Sequence, residues 1–196
     1  MVRSIRYLLL LVLFFSCRHR QVEGGVPIAE QADTIHLQES FFPVTTYLKG
    51  QLRDIQTGGV NPLKYIIINN TTDSSWVKME DIQKEATPFL EPVIDTANMV
   101  PYFSEKKFLD QTMNAYTFTY DPIGKLSNTL EIQHWDVYVD PVLNKVKRIY
   151  IIKKTADNKI IQLTWQSDKW FKIVTIANDQ KHQDFVEKEV LIKWDF

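Results

Sequence analysis

The chain has 196 residues and a formal net charge of −1, from 23 Lys and Arg against 24 Asp and Glu. That balance leaves no basic footprint for nucleic acid, and no nucleic-acid partner is expected. The chain is 44% hydrophobic and 12% aromatic, enough for a real core, and its length fits one domain behind an N-terminal leader.

The leader comes first in chain order. Arg3 and Arg6 precede an unbroken apolar run from Tyr7 to Phe15, and Ser16 and Cys17 follow. A positive start, a short apolar stretch and a small residue at its exit describe a secretory signal. The run is shorter than the roughly 20 apolar residues of a membrane-spanning helix.

Phe14-Phe15-Ser16-Cys17 resembles a lipobox, the recognition sequence of bacterial lipoprotein maturation, with Phe14 where Leu is usual and Phe15 where a smaller residue is usual. Loosened boxes of this kind look like those of Bacteroidota lipoproteins. The resemblance covers about the first 20 residues and implies nothing about the domain behind them. It implies that residues 1–16 are a cleaved signal peptide and that Cys17 becomes the lipidated N-terminus. Two acyl chains there would anchor the protein stably, where one gives marginal binding. Cys17 is the single cysteine. Acylated, it leaves no thiol for a disulfide, a nucleophile or a thiolate metal site. Surface-exported relatives carry acidic residues after the Cys, whereas Arg18-His19-Arg20 is basic. The expected location is therefore the periplasmic face of the outer membrane. Residues 17–39 read as the lipidated Cys and a flexible tether, broken by Gly24-Gly25 and Pro27.

Residues 40–196 read as one globular domain. Val44, Tyr47, Leu48, Leu52 and Ile55 recur at helical spacing, with Ser40 and Pro43 before them and Gly58-Gly59 as the stop. Leu63 to Ile68 reads as a buried strand. A second helix is expected from Val77 to Leu90, capped by Ser74 or Ser75, with Pro88 disturbing its last turn. Ser104 is expected to start a short helix carrying Phe108 and Leu109. From Asn114 onward strands alternate with turns: around Tyr116–Tyr120, 130–140, 146–153, 160–166, 170–177 and 185–194. The expected fold class is α+β, with N-terminal helices packed on a curved antiparallel meander of about six strands. Ile149 and Ile151 point to one face while Tyr150 and Ile152 point to the other, so both faces carry large side chains.

Chemistry-bearing residues are sparse. His134 and Asp136 share one face of a strand, but their Cα atoms lie about 6.5–7 Å apart, which argues against an easy direct bond. No serine in a nucleophile elbow accompanies them. His19, His36, His134 and His182 share no ligating spacing, so no metal site is expected, and nothing calls for a cofactor. Glu187 with Glu189, and Glu80 with Asp81, read as solvated surface. Trp135, Trp165 and Trp170 lie in predicted strands. They would either line a pocket for an apolar ligand or make an ordinary core. Asp33-Thr34-Ile35 and Asp95-Thr96-Ala97 resemble O-glycosylation sites of Bacteroidota, on Thr34 and Thr96.

The function expected is that of a lipid-anchored envelope lipoprotein acting as a non-enzymatic interaction or accessory module. Its partners would be the membrane, through the lipid on Cys17, and an envelope protein. A carrier for an apolar ligand such as an acyl chain is the alternative. An envelope hydrolase, resting on His134 and Asp136, is the second.

Overall fold

The computed structural model describes residues 40–127, 129–178 and 183–195. The signal, Cys17, the tether and Thr34 lie outside the described residues.

Nine strands form one antiparallel sheet: β1 Leu63–Ile68, β2 Thr71–Trp76, β3 Phe103–Asp110, β4 Ala115–Pro122, β5 Ile132–Val139, β6 Val146–Lys154, β7 Ile160–Gln166, β8 Trp170–Asn178 and β9 Asp184–Lys193. Their order across the sheet is β2-β1-β9-β8-β7-β6-β5-β4-β3. Strands β3 to β9 run as a meander, and the β1–β2 hairpin joins beside β9. The hairpin turns on Asn69 and Asn70, both at positive φ. Asn114, Asn144, Asn158 and Asp168 hold the same left-handed backbone in the turns before β4, β6, β7 and β8. Asn and Asp tolerate that region better than other side chains, so the turns are specified locally.

This architecture corrects the expected fold class. The domain is mostly an open nine-stranded antiparallel sheet with few helices, not N-terminal helices packed on a six-strand meander. Three segments account for the difference. Phe103–Asp110, expected as a short helix after Ser104, is edge strand β3, paired along its whole length with β4. Thr71–Trp76, where Ser74 or Ser75 was expected to cap a helix, is edge strand β2 and is exposed at every position. The expected helix from Val77 to Leu90 reduces to two single turns, α2 Ile82–Glu85 and α3 Thr87–Leu90.

The one long helix among the described residues, α1 Val44–Thr57, matches its apolar stripe: Val44, Leu48, Leu52 and Ile55 are buried. It ends where the Gly58 N–H donates to the Asp54 and Ile55 carbonyls and Gly59 turns to φ 73°. A further turn, α4 Thr96–Met99, is capped by the Asp95 carboxylate, which accepts from the Asn98 N–H.

The core lies between these helices and one face of the sheet. Trp135 stacks on Tyr120 at 4.4 Å between ring centres, with Phe41 and Phe103 set edge-on to it. Trp165 stacks on Phe171 at 5.0 Å, and Phe89 of α3 meets both rings edge-on. Each such ring removes about 150–250 Å2 from water, several kcal/mol per ring before the cost of ordering. Lys153 is the one lysine buried on this face among the described residues, and its amine donates to the Glu91 carbonyl. Burial pushes its pKa down.

Candidate functional site

Strand β5 shows how the sheet divides. Ile132, Trp135 and Val137 are buried under the helices. His134, Asp136 and Tyr138 alternate with them and project from the opposite face. Register carries that face across the sheet. Asp136 sits opposite Thr119 on one side and Tyr150 on the other; Tyr150 then pairs with Thr164, Thr164 with Lys172, Lys172 with Leu191 and Leu191 with Tyr65. Among the described residues no helix covers this row.

A polar cluster occupies the β4–β5 end of the open face. His134 bridges two carboxylates: Nδ1 lies 3.0 Å from Asp121 Oδ1, and Nε2 lies 3.1 Å from Asp136 Oδ2. The Thr119 hydroxyl donates to Asp136 Oδ1 at 2.7 Å, and the Tyr138 hydroxyl donates to Asp136 Oδ2 at 3.2 Å. Lys106 Nζ donates to Asp121 Oδ2 at 2.9 Å. The bond to Asp136 raises the His134 pKa above its ordinary value, against the opposing effect of burial. Burial works against the Asp136 charge, yet bonds from His134, Thr119 and Tyr138 outweigh it and hold that carboxyl below the usual range. Lys106, then His134, do the same for Asp121. Burial, then the Asp136 charge, push Tyr138 up to about 12.

The contact between His134 and Asp136 corrects the sequence expectation. Two Cα atoms on one strand face lie too far apart for backbone proximity to bond them, but both side chains are long enough to lean together and meet. Asp121, Thr119 and Tyr138 were not anticipated as members. Tyr138 stands two residues beyond Asp136 on the same face, a spacing visible in the chain. Asp121 and Thr119 arrive only through the β4–β5 register.

Chemically the cluster is closed. With each ring nitrogen set against a carboxylate oxygen, His134 directs no free nitrogen at a metal or a substrate proton. Both Asp136 oxygens already accept bonds. Among the described residues no group of three or more His, Cys, Asp or Glu is arranged to hold a metal ion.

The three tryptophans do not share a surface. Trp135 and Trp165 are fully buried on the helix-covered face, where other rings occupy their planes. Trp170 is half-buried on the open face, opposite Gln166 and Lys193. A surface depression of about 500 Å3 lies elsewhere, at the end of the sheet where Pro122, Lys125, Leu130, Gln133, Lys154 and Asn158 converge. Thr96 is half-buried at the start of α4, and its hydroxyl oxygen accepts from the Phe41 N–H at 3.0 Å. A sugar on Thr96 would compete with that bond. Comparison with family models, curated proteins and solved structures finds no match to the chain. The functional reading rests on the residues themselves.

Proposed function

We propose that the chain is a lipid-anchored envelope lipoprotein, held through Cys17 at the periplasmic face of the outer membrane, whose domain is a non-enzymatic interaction module. The observation behind the binding role is the unequal cover of the sheet. One face carries the helices, and the other presents Tyr65, Tyr138, Tyr150, Lys172 and Trp170 without a helix over them among the described residues. Tyr and Trp side chains on a rigid frame suit protein recognition, since their rings lose little rotamer entropy on binding and offer both apolar and hydrogen-bonding contact.

The same packing weighs against the carrier alternative. Trp135, Trp165 and Trp170 were expected to line an acyl-chain pocket; the rings of the first two are taken up by Tyr120 and Phe171, and Trp170 lies apart from them on the open face. The saturated bonding of His134 and Asp136 weighs against the hydrolase alternative. A photo-crosslinking residue in place of Tyr150, in the full lipidated chain in cells, tests the proposal. A discrete adduct with one envelope protein is expected, absent when the probe replaces Glu80 on the exposed stretch before α2. Absence of an adduct from Tyr150, together with a stoichiometric lipid in native mass spectrometry of the purified chain, would transfer support to the carrier. Loss of palmitate incorporation in Cys17→Ser is the matching test of the anchor.

A further inference from the structure

At one corner of the domain the apolar core runs out into exposed surface: Val139 and Val146 are half-buried against the core, and their neighbours beyond are open to solvent. Leu109, Tyr116, Val139 and Val146 stand side by side across β3, β4, β5 and β6 by register. Leu109 is 50% exposed and Tyr116 47%. Beyond them the turn between β5 and β6 carries Val142, 81% exposed, and Leu143, 65% exposed. Two adjacent aliphatic side chains at the tip of a turn run against the usual polar composition of turns.

The tip is held in place. The Asp140 carboxylate accepts from the Val142 and Leu143 N–H groups at 2.9 and 2.8 Å. Asn144 closes the turn in the left-handed region at φ 53°. The neighbouring turn between β3 and β4 is built the same way: the Asp110 carboxylate accepts from the Thr112 and Met113 N–H groups. Lys147 joins the two turns by donating to the Met113 and Asn114 carbonyls. The apolar tip is thus presented by a framework that is already ordered, so docking it costs little conformational entropy.

We infer that this corner is a second membrane contact, in which Val142 and Leu143 enter the bilayer interface beside Tyr116. The inference rests on the lipid anchor proposed for Cys17. Size and charge choose the occupant. The patch is a finger with a short row behind it, and its exposed apolar residues are Leu109, Tyr116, Val142 and Leu143, where a stable protein interface takes roughly 20–30 residues a side. A tethered domain needs far less, because tethering raises the effective concentration of the bilayer into the millimolar range for short flexible linkers. Twenty-two residues separate Cys17 from Ser40, a reach of about 75 Å at most, so any face of the domain can meet the membrane. The rim mixes both signs, Lys107 and Lys145 with Glu105, Asp110 and Asp140. Aliphatic tips, an interfacial tyrosine and snorkelling lysines suit the headgroup boundary. A mixed rim predicts little dependence on salt or on anionic lipid.

The test uses the full lipidated chain in protein-free vesicles of phosphatidylethanolamine and phosphatidylglycerol, with a fluorophore on Leu143→Cys or, as control, on Thr72→Cys of edge strand β2. Quenching by lipid-borne nitroxides and shielding from iodide are expected at 143 and not at 72. Equal iodide access at both positions would overturn the membrane contact. Shielding at 143 that occurs in native envelopes but not in protein-free vesicles would overturn it in favour of a protein partner. Failure of the anchor is separable: it shows as a missing acyl mass on Cys17. In that event the Cys17→Ser chain is held on the same vesicles through an N-terminal hexahistidine and a nickel-chelating lipid, a fluorophore on Tyr116→Cys is expected to be shielded from iodide, and V142S/L143S is expected to lower that shielding about tenfold. No change on that double substitution would refute the contact. Both side chains are mostly exposed, so their replacement leaves the fold intact.

Discussion

Neighbouring residues of β5 serve two different surfaces. Trp135 faces the helices and is locked by Tyr120, Phe41 and Phe103. His134 and Asp136, one residue to either side, face the open side and belong to a network of charges and hydroxyls. One face is held by ring packing, which is insensitive to pH and strongly dependent on shape. The other is held by charge-assisted bonds, which depend on protonation and are individually modest. The contrast teaches that the two-residue period of a strand lets one segment build a core and present a surface at once. It also separates substitutions that threaten folding from those that alter the surface alone.

The largest effect should come from the covered face. Trp135→Ala removes a fully buried ring and is expected to cost about 3–5 kcal/mol in chemical denaturation. Trp165→Phe should cost much less, because its indole N–H has no hydrogen-bond partner among the described residues and most of the ring is kept. A similar loss from both would mean that the rings do not carry the core as described.

A smaller effect is expected on the open face. Asp136→Ala leaves His134, Thr119 and Tyr138 without their shared acceptor, and about 1–3 kcal/mol should be lost. The dependence on pH has a definite sign. The His134 pKa is raised above 6.5 in the folded chain, so its contribution is complete below pH 6.5 and fades as pH rises through the folded value. The Asp136 pKa is lowered below 3.8, so its contribution is complete above pH 3.8 and fades as pH falls through the folded value. Wild type should therefore exceed His134→Gln by most in the acid range between those two values, and the margin should narrow towards alkaline pH. A margin independent of pH would show that His134 is not charged in the folded chain.

The smallest effect belongs to the rim of the network. Lys106 is well exposed on edge strand β3 and, among the described residues, reaches only Asp121. Lys106→Ala should leave the denaturation midpoint within experimental error, as exposed ion pairs commonly do. A clear loss would move the weight of the network from Asp136 to Asp121.

Much of the sheet was legible in the chain. Strands β4 to β9 announce themselves by apolar residues and by Asn- and Asp-containing turns, and β1 by its isoleucines. The two edge strands did not. Thr71–Trp76 is exposed at every position, so it carries no alternation to read. In β3, Phe108 and Leu109 are adjacent and both half-exposed, while Glu105, Lys106 and Lys107 precede them. That pattern follows from an edge position with loose cover on both faces, and it imitates one turn of a helix. The two strands form only because β1 and β4 offer them unpaired backbone, a nonlocal cause. The site was half legible for the same reason. His134, Asp136 and Tyr138 share a strand face in sequence, whereas Asp121 and Thr119 join them through pairing with β4.

The central claim is that the open face binds a partner while the covered face holds the fold. Thr164 stands at the centre of the open face, between Tyr150 and Lys172, and Thr164→Arg places a bulky charge there. Measured on one preparation, the account predicts an unchanged denaturation midpoint and loss of the envelope adduct formed from Tyr150. An adduct that survives Thr164→Arg undiminished in a stably folded chain would contradict it.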